Sequence, residues 1–242
     1  LALNIFRDEA DQPRQKNSFA DDVVGTFRAG HVDENGNPAS LDTWRVTTGD
    51  PEVADAIADL LKGDAPAEWD TKSEETLEVY TEASSVYIVL EDAKAVRQRF
   101  VQRNRNGEFV YTSDGATKDD GEPDPHAKLS LNERFKLAAD GLGPALETTI
   151  WFRLDDSMGD VTLGGQPARP GDIGKFKFQS TGKTIGKAVL DNNIEDEIRD
   201  ADGPVRAKLW IEKIRFTAKT GPRAGKLVEY NSAALKIIGP VR

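Results

Sequence analysis

The sequence predicts an α+β fold, mostly antiparallel sheet with few helices, in which a strand-turn-helix-strand-strand unit occurs twice. Three observations predict it. Short apolar runs with period-two alternation are separated by turn chemistry such as Asn106-Gly107, which is how hairpins read. The stretch LDTWRVTTGDPEVADAIADLLKG (41–63) joins a strand to a well-marked helix. Sliding the chain by 132 positions lays WRVTTGDPEVADAI over FKFQSTGKTIGKAV, so that Trp44 meets Phe176, Val46 meets Phe178, Val53 meets Ile185 and Ile57 meets Val189. Antiparallel hairpins with only a few helices argue against a doubly wound parallel sheet.

In order along the chain, residues 1–22 are polar and aperiodic and read as an extended N-terminal arm. VVGTFRAG (23–30) is a strand and DENGNP (33–38) a turn. Trp44, Val46 and Thr48 alternate as a second strand. Asp50 is placed to cap the orphan amides of the helix that follows, with Pro51 at its first position and Gly63 as a left-handed stop. Val53, Ile57, Leu60 and Leu61 give that helix one buried stripe. LEVYTE (77–82) and SSVYIVLED (84–92) are strands, and AVRQRFVQRNRNGEFVYT (95–112) is a strand, a turn and a strand. SDGATKDDGEPDPHAK (113–128) has almost nothing to bury and is expected to be a mobile acidic loop or linker between two α+β halves, 23–112 and 129–242, which could pack as one domain.

The second half opens with a helix, SLNERFKLAADG (130–141), whose Ser130 and Glu133 stand at capping-box spacing. A long strand (145–156), a hairpin-like stretch (160–174), the second strand-turn-helix ending near 201–203, and two long final strands complete it. In the first of these, Val205, Ala207, Leu209 and Ile211 share a face that Ile214 and Phe216 miss by one residue, so a bulge is expected near Glu212-Lys213. TGPRAG (220–225) turns the hairpin. The second helix carries Lys183 and Lys187 at its start and Asp191, Glu195, Asp196 and Glu197 towards its end, the reverse of what the helix dipole favours.

Composition excludes several functions. The chain has no cysteine, which removes disulfides, thiolate nucleophiles and cysteine-ligated zinc; a reducing cytoplasm is the expected home. The N-terminal stretch has no basic flank followed by an apolar run, so no secretory signal is read there, and no run is long enough to span a bilayer. The only two histidines, His31 and His126, sit in turn-rich contexts without metal-ligand spacing. Gly182-Lys183-Thr184 resembles the end of a phosphate-binding loop, but the glycine required five residues earlier is Lys177; a turn and helix cap is the better reading. Adjacent acidic pairs (Asp21-Asp22, Asp119-Asp120, Asp155-Asp156) mark caps and turns. No catalytic residue, cofactor site or metal site is predicted.

A net charge of -10 argues against bulk DNA binding. The charge is uneven, however: residues 204–242 hold nine Lys/Arg against two Asp/Glu, a balance of +7, and the remainder holds 23 against 40, a balance of -17. Such polarity suits docking to a partner. Two basic surfaces are nominated for it. One is the strand and turn carrying Arg97, Arg99, Arg103 and Arg105, with Phe100, Phe109 and Tyr111 nearby; the other is the C-terminal hairpin with Arg215, Lys219, Arg223 and Lys226. Trp44, Trp69, Trp151 and Trp210 lie in or beside apolar strand patterns and are assigned to the core.

TFRAG, NGNPASLDTWRVTTGDPEVADAIADLLKGDAPAEWDTK and LEVYTEASSVYIVL, with the later GKFKFQSTGKTIGKAV, PVRAKLWIEKIRF and GKLVEYNSAALKI, resemble the recombination directionality factors of actinobacterial phages with large serine integrases, nearest to the factor of the phiC31-type integrase. The likeness covers most of the chain from about residue 20, and GDAPAEW (63–69) is its most specific part. Many relatives carry a cysteine-containing segment where this chain has 113–128, so a metal site there does not carry over. The resemblance implies a non-catalytic phage protein in the bacterial host cell. Its partner would be the cognate serine integrase on att-site DNA, contacted at the C-terminal DNA-binding region and coiled-coil arm, with little or no DNA binding of its own. It would activate attL by attR excision and inhibit attP by attB integration. The alternative is a phage accessory protein that binds single-stranded nucleic acid through the Arg97–Arg105 face.

Overall fold

Residues 23–32, 38–219 and 224–241 are described by the computed structural model. The expected N-terminal arm, the turn at 33–37 and part of the 220–225 turn lie outside them. The first half holds β1 (Gly25–Val32), β2 (Pro38–Thr48), α1 (Pro51–Leu60), β3 (Ala67–Glu68), β4 (Leu77–Tyr80), β5 (Ser85–Leu90), β6 (Val96–Arg103) and β7 (Phe109–Ser113). The second holds α2 (Leu131–Ala139), β8 (Ala145–Leu154), β9 (Val161–Leu163), β10 (Gln166–Ala168), β11 (Phe176–Ser180), α3 (Lys183–Asp191), α4 (Ile194–Asp200), β12 (Val205–Thr217) and β13 (Leu227–Pro240).

Strands from both halves interleave in one sheet of order β13-β12-β5-β8-β11-β1-β2-β4-β3, with β6 and β7 attached through β8. All pairings are antiparallel except β1 with β11. The fold is therefore α+β, as the hairpin pattern predicts. One flank of β8 pairs with β11. The other is divided: Ala145–Ile150 pair with β6, and Arg153 and Leu154 pair with β5. Two hairpin arms thus diverge from β8, β6–β7 directly and β12–β13 through β5. The link between β4 and β5 draws the ends of the sheet together. Trp44 donates its amide to Ala83 O and accepts from the Thr81 amide, while Ser84 O accepts from Ile211 of β12.

The inner faces of the curled sheet meet in an aromatic cluster. Phe27 stands edge-on to Trp44 at 5.7 Å and to Phe152 and Phe176 at 5.3 Å, and Trp44 stands edge-on to Phe178 at 5.6 Å. Such T-shaped pairs add about 0.5–1.5 kcal/mol each beyond area burial. Alternation decides who faces inward: on β8, Leu146, Thr148, Ile150, Phe152 and Leu154 are buried. The aligned residues Val46 and Phe178 both point into this core, and β2–α1 and β11–α3 are both strand-turn-helix units. The strands that follow them go to different places, β4 beside β2 but β12 beside β5.

Asp50 caps α1 by accepting from the Glu52 amide at 2.9 Å. The left-handed residue at its other end is Lys62 (φ 51°), not Gly63. The amide of Gly63 returns to Ala58 O at 2.7 Å and that of Lys62 to Asp59 O, the paired bonds of a Schellman stop. Gly63 is there for closeness: a Cβ would lie 2.7 Å from Val79 Cγ1 and 2.9 Å from Tyr80 O. α2 forms with the expected capping box between Ser130 and Glu133.

Two further expectations need correction. The bulge in the terminal hairpin falls at Arg206/Ala207, where Ile238 is the unmatched residue, and pairing runs unbroken through Glu212-Lys213. Ile214 and Phe216 do not need to regain the buried face, because the arm has left the body of the sheet: β5 accompanies β12 only as far as Trp210. The second helix is also not continuous. It ends at Asp191, and Asn193, left-handed at φ 49°, starts α4. Glu195, Asp196 and Glu197 then occupy the first turn of α4, where the dipole favours acids, so the charge reversal is confined to α3, which still starts at Lys183 and ends at Asp191.

Candidate docking surface

The outward residues of β2, β1, β11 and β8 form a polar face rather than a bare one. Glu75, brought over the sheet by the chain between β3 and β4, accepts from Thr26 Oγ1 at 2.5 Å, Thr47 Oγ1 at 2.6 Å and Arg28 Nη2 at 2.9 Å. Beside it Arg45 donates to Glu78 at 2.7 Å. The Arg45 guanidinium lies 4.4 Å from the centre of the Trp69 ring, and Trp69 donates its indole N–H to Glu75 O. Trp151, on the same outward face of β8, lies under Arg97 at 4.9 Å. Trp69 and Trp151 therefore serve as plates for arginines, not as members of the inner core.

The nominated residues fall into two groups. Arg97, Arg99 and Arg103 share one side of β6, and Arg105 is exposed in the turn to β7. Burial, reinforced by neighbouring Arg99, lowers the Arg97 pKa from the usual arginine value. Arg99 approaches Asp119 at 3.6 Å, and Arg103 donates to Gly107 O at 3.3 Å. Of the aromatics there, Phe100 is buried but Phe109 is 60% exposed. On the other arm Arg215 and Lys213 both pair with Glu229, Lys219 and Lys226 are exposed, and Arg223 lies outside the described residues. That arm also shows apolar side chains to solvent: Phe216 and Tyr230, edge-on at 6.4 Å, and Leu227.

The two arms meet at one groove of about 1270 Å³. Its floor is the outward face of β1 and β11, including Arg28, Lys177 and Gln179, and its walls bring together Arg103 from one arm and Tyr230 to Ser232 from the other. Gly182 closes the end of β11 and starts α3. Lys183 turns away over the Phe135 ring at 5.0 Å, and Thr184 meets the Tyr230 hydroxyl at 3.3 Å. Gly182-Lys183-Thr184 is thus a turn and a helix start.

The segment 113–128, whose composition offers nothing apolar to bury, instead buries charge. Asp124 and Arg134 are both inaccessible and pair at 3.1 Å. Asp124 also accepts from Ser113 Oγ and the His126 amide, while Arg134 donates to Gly115 O and His126 O. The segment is wound around this pair and docked on α2. Among the described residues no cluster of three metal-ligating side chains is found, and no helix is long and apolar enough to cross a membrane.

Residues 24–134 match the family model described as Gp3-like, recombination directionality factor-like. The match begins at β1 and ends in α2 at Arg134, so it contains Glu75 and its donors, the β6–β7 arm and the whole Asp124–Arg134 unit. The matched stretch, a little under half of the chain, is thus similar to recombination directionality factor-like proteins. No solved structure matches. Composition and spacing alone do not single out Glu75, Trp69 or Asp124; the one local signal is the run of polar residues at alternate positions, Thr26, Arg28, Arg45 and Thr47, in strands whose other face is apolar.

Proposed function

We propose that this protein is a non-catalytic recombination directionality factor that binds a phage serine integrase, activating attL by attR excision and inhibiting attP by attB integration. The observation that carries the reading is the family match over 24–134. The geometry supports it: two hairpin arms with exposed Phe109, Phe216 and Leu227 among cations offer contact area, and Tyr230 adds an exposed ring beside the groove. Biasing one synaptic arrangement a hundredfold takes about 2.8 kcal/mol, a small part of an interface of ordinary size. An acidic body carrying basic arms would be steered towards a basic, DNA-bound protein in a defined orientation. The test is recombination in vitro with the cognate integrase while this protein is titrated. Excision product should rise and level off near stoichiometric amounts as integration falls; the absence of both effects with folded protein rejects the reading.

A further inference from the structure

β1 outruns its neighbour. Its pairing with β11 stops at Phe27 opposite Phe178, while the strand continues to Val32, paired on its other side with β2. Among the described residues no strand flanks Arg28–Val32 on the β11 side, and this length lies along the groove between the two arms. His31 Nδ1, in the same stretch, is buried with no hydrogen-bond partner among the described residues. A buried polar atom without a partner is costly, and an unpaired strand edge is a ready template for another strand. The cavity volume exceeds the roughly 300–1,000 Å³ of small-molecule sites, so a chain segment fits better than a metabolite.

Charge selects the occupant. Arg28 and Arg45 are held by Glu75 and Glu78, but among the described residues no carboxylate pairs with Lys177 or Arg103, which face the same groove. Arg105, Lys219 and Lys226 stand exposed on the flanking arms. Nucleic acid is disfavoured, because neutralising several phosphates needs a run of available cations, and Arg97 and Arg99 are turned to Trp151 and Asp119; Asp70 and Glu147 also line the groove, which restricts its occupant to isolated carboxylates set against Lys177 and Arg103. We infer that this groove binds an extended acidic segment of a partner protein, which adds to β1 as a strand, meets Lys177 and Arg103 with its carboxylates and packs an apolar side chain on Tyr230. Five residues of strand edge, about 17 Å at 3.3 Å per residue, set the length it needs. That the partner is the integrase rests on the proposed function.

The experiment combines affinity capture of purified cognate integrase with hydrogen exchange on the complex. The full chain, the Lys177→Glu/Arg103→Glu double variant, Tyr230→Ala and a distant control, Lys94→Glu, are compared after each is shown to melt cooperatively. Labelled single-stranded and duplex oligonucleotides are run in parallel. The expected result is slowed exchange at the amides of Arg28–Val32, affinity lowered at least tenfold by the double variant and by Tyr230→Ala, and no change with Lys94→Glu. Integrase captured equally by all variants, or protection that leaves Arg28–Val32 unchanged, overturns the groove while leaving the proposed function intact. Oligonucleotide binding that is lost in the double variant also overturns it. Folded wild-type protein that captures no integrase removes both.

Discussion

The guanidinium of Arg134 lies 4.4 Å from the centre of the Phe100 ring and 3.1 Å from the carboxylate of Asp124, with neither charged side chain reaching solvent. One residue of α2 thereby joins the 113–128 segment to the underside of β6. Breaking a buried pair from one side leaves an uncompensated charge, which costs about 3–5 kcal/mol. Arg134→Met and Asp124→Ala should each lower urea stability by that order, and the double variant should lose much less than the sum of the two. Strict additivity in a double-mutant cycle would show that the two groups are not coupled.

Acid should find the same place. Burial pushes the Asp124 carboxyl up, but the bonds from Ser113, the His126 amide and Arg134 outweigh it and hold the group below the ordinary carboxylate value. Asp155 follows the same logic, burial opposed by Ser157 and Arg206. A depressed folded pKa stabilises fully above the unfolded value, about 3.9 for Asp, and that stabilisation is lost as pH falls through the folded one. Stability from these groups should therefore be flat from pH 7 to about 5 and fall below about 4. Urea titrations across that range should show a shallower acid limb for Asp124→Asn than for the wild type.

Glu75 satisfies two threonine hydroxyls and a guanidinium on the outer sheet face. Glu75→Ala would leave three donors without their shared acceptor, at a cost of about 1–3 kcal/mol. Its distinctive effect should be local: the chain from 67 to 76 should become accessible to limited proteolysis well before global unfolding. An unchanged cleavage pattern would mean that Trp69 and the short β3–β4 ladder hold it unaided.

Two neighbouring residues should respond to substitution with opposite signs. Lys62 is left-handed, which costs a side chain about 1–2 kcal/mol, so Lys62→Gly should stabilise the protein by up to about 1 kcal/mol. Gly63→Ala drives a Cβ into Val79 and the Tyr80 carbonyl and should destabilise it by about 1–3 kcal/mol. Thermal melts of the two variants should move in opposite directions.

The elements were largely legible because period-two and helical patterning record burial directly. Asp50, Pro51 and the Ser130–Glu133 box mark helix starts by local chemistry that needs no tertiary context. Three features escaped such reading because none leaves a periodic signal. The break before α4 is a left-handed Asn193 between two short helices, inside what reads as one amphipathic run. A bulge near Glu212 follows only if Ile214 and Phe216 must share the buried face, whereas among the described residues the arm has no sheet neighbour there beyond its own partner strand. The order in 113–128 rests on an Asp and an Arg ten positions apart, a spacing that carries no periodic signal. Of the candidate docking surface, the arginine strand and the basic hairpin are visible as charge. That Arg103 and the 230–233 stretch meet beside β1, while the other nominated cations among the described residues do not line that groove, is a product of the sheet's curl.

The divided flank of β8 separates two problems that most sheets solve together. Because Ala145–Ile150 pair with β6 while Arg153 and Leu154 pair with β5, which in turn carries β12, the β6–β7 and β12–β13 ladders share no hydrogen bond with each other among the described residues. Either hairpin can be lengthened, shortened or rewritten at its tip without disturbing the register of its sibling. Under the proposed function, partner choice could then drift one finger at a time over a scaffold that stays put, and a single hairpin would be the natural unit to graft.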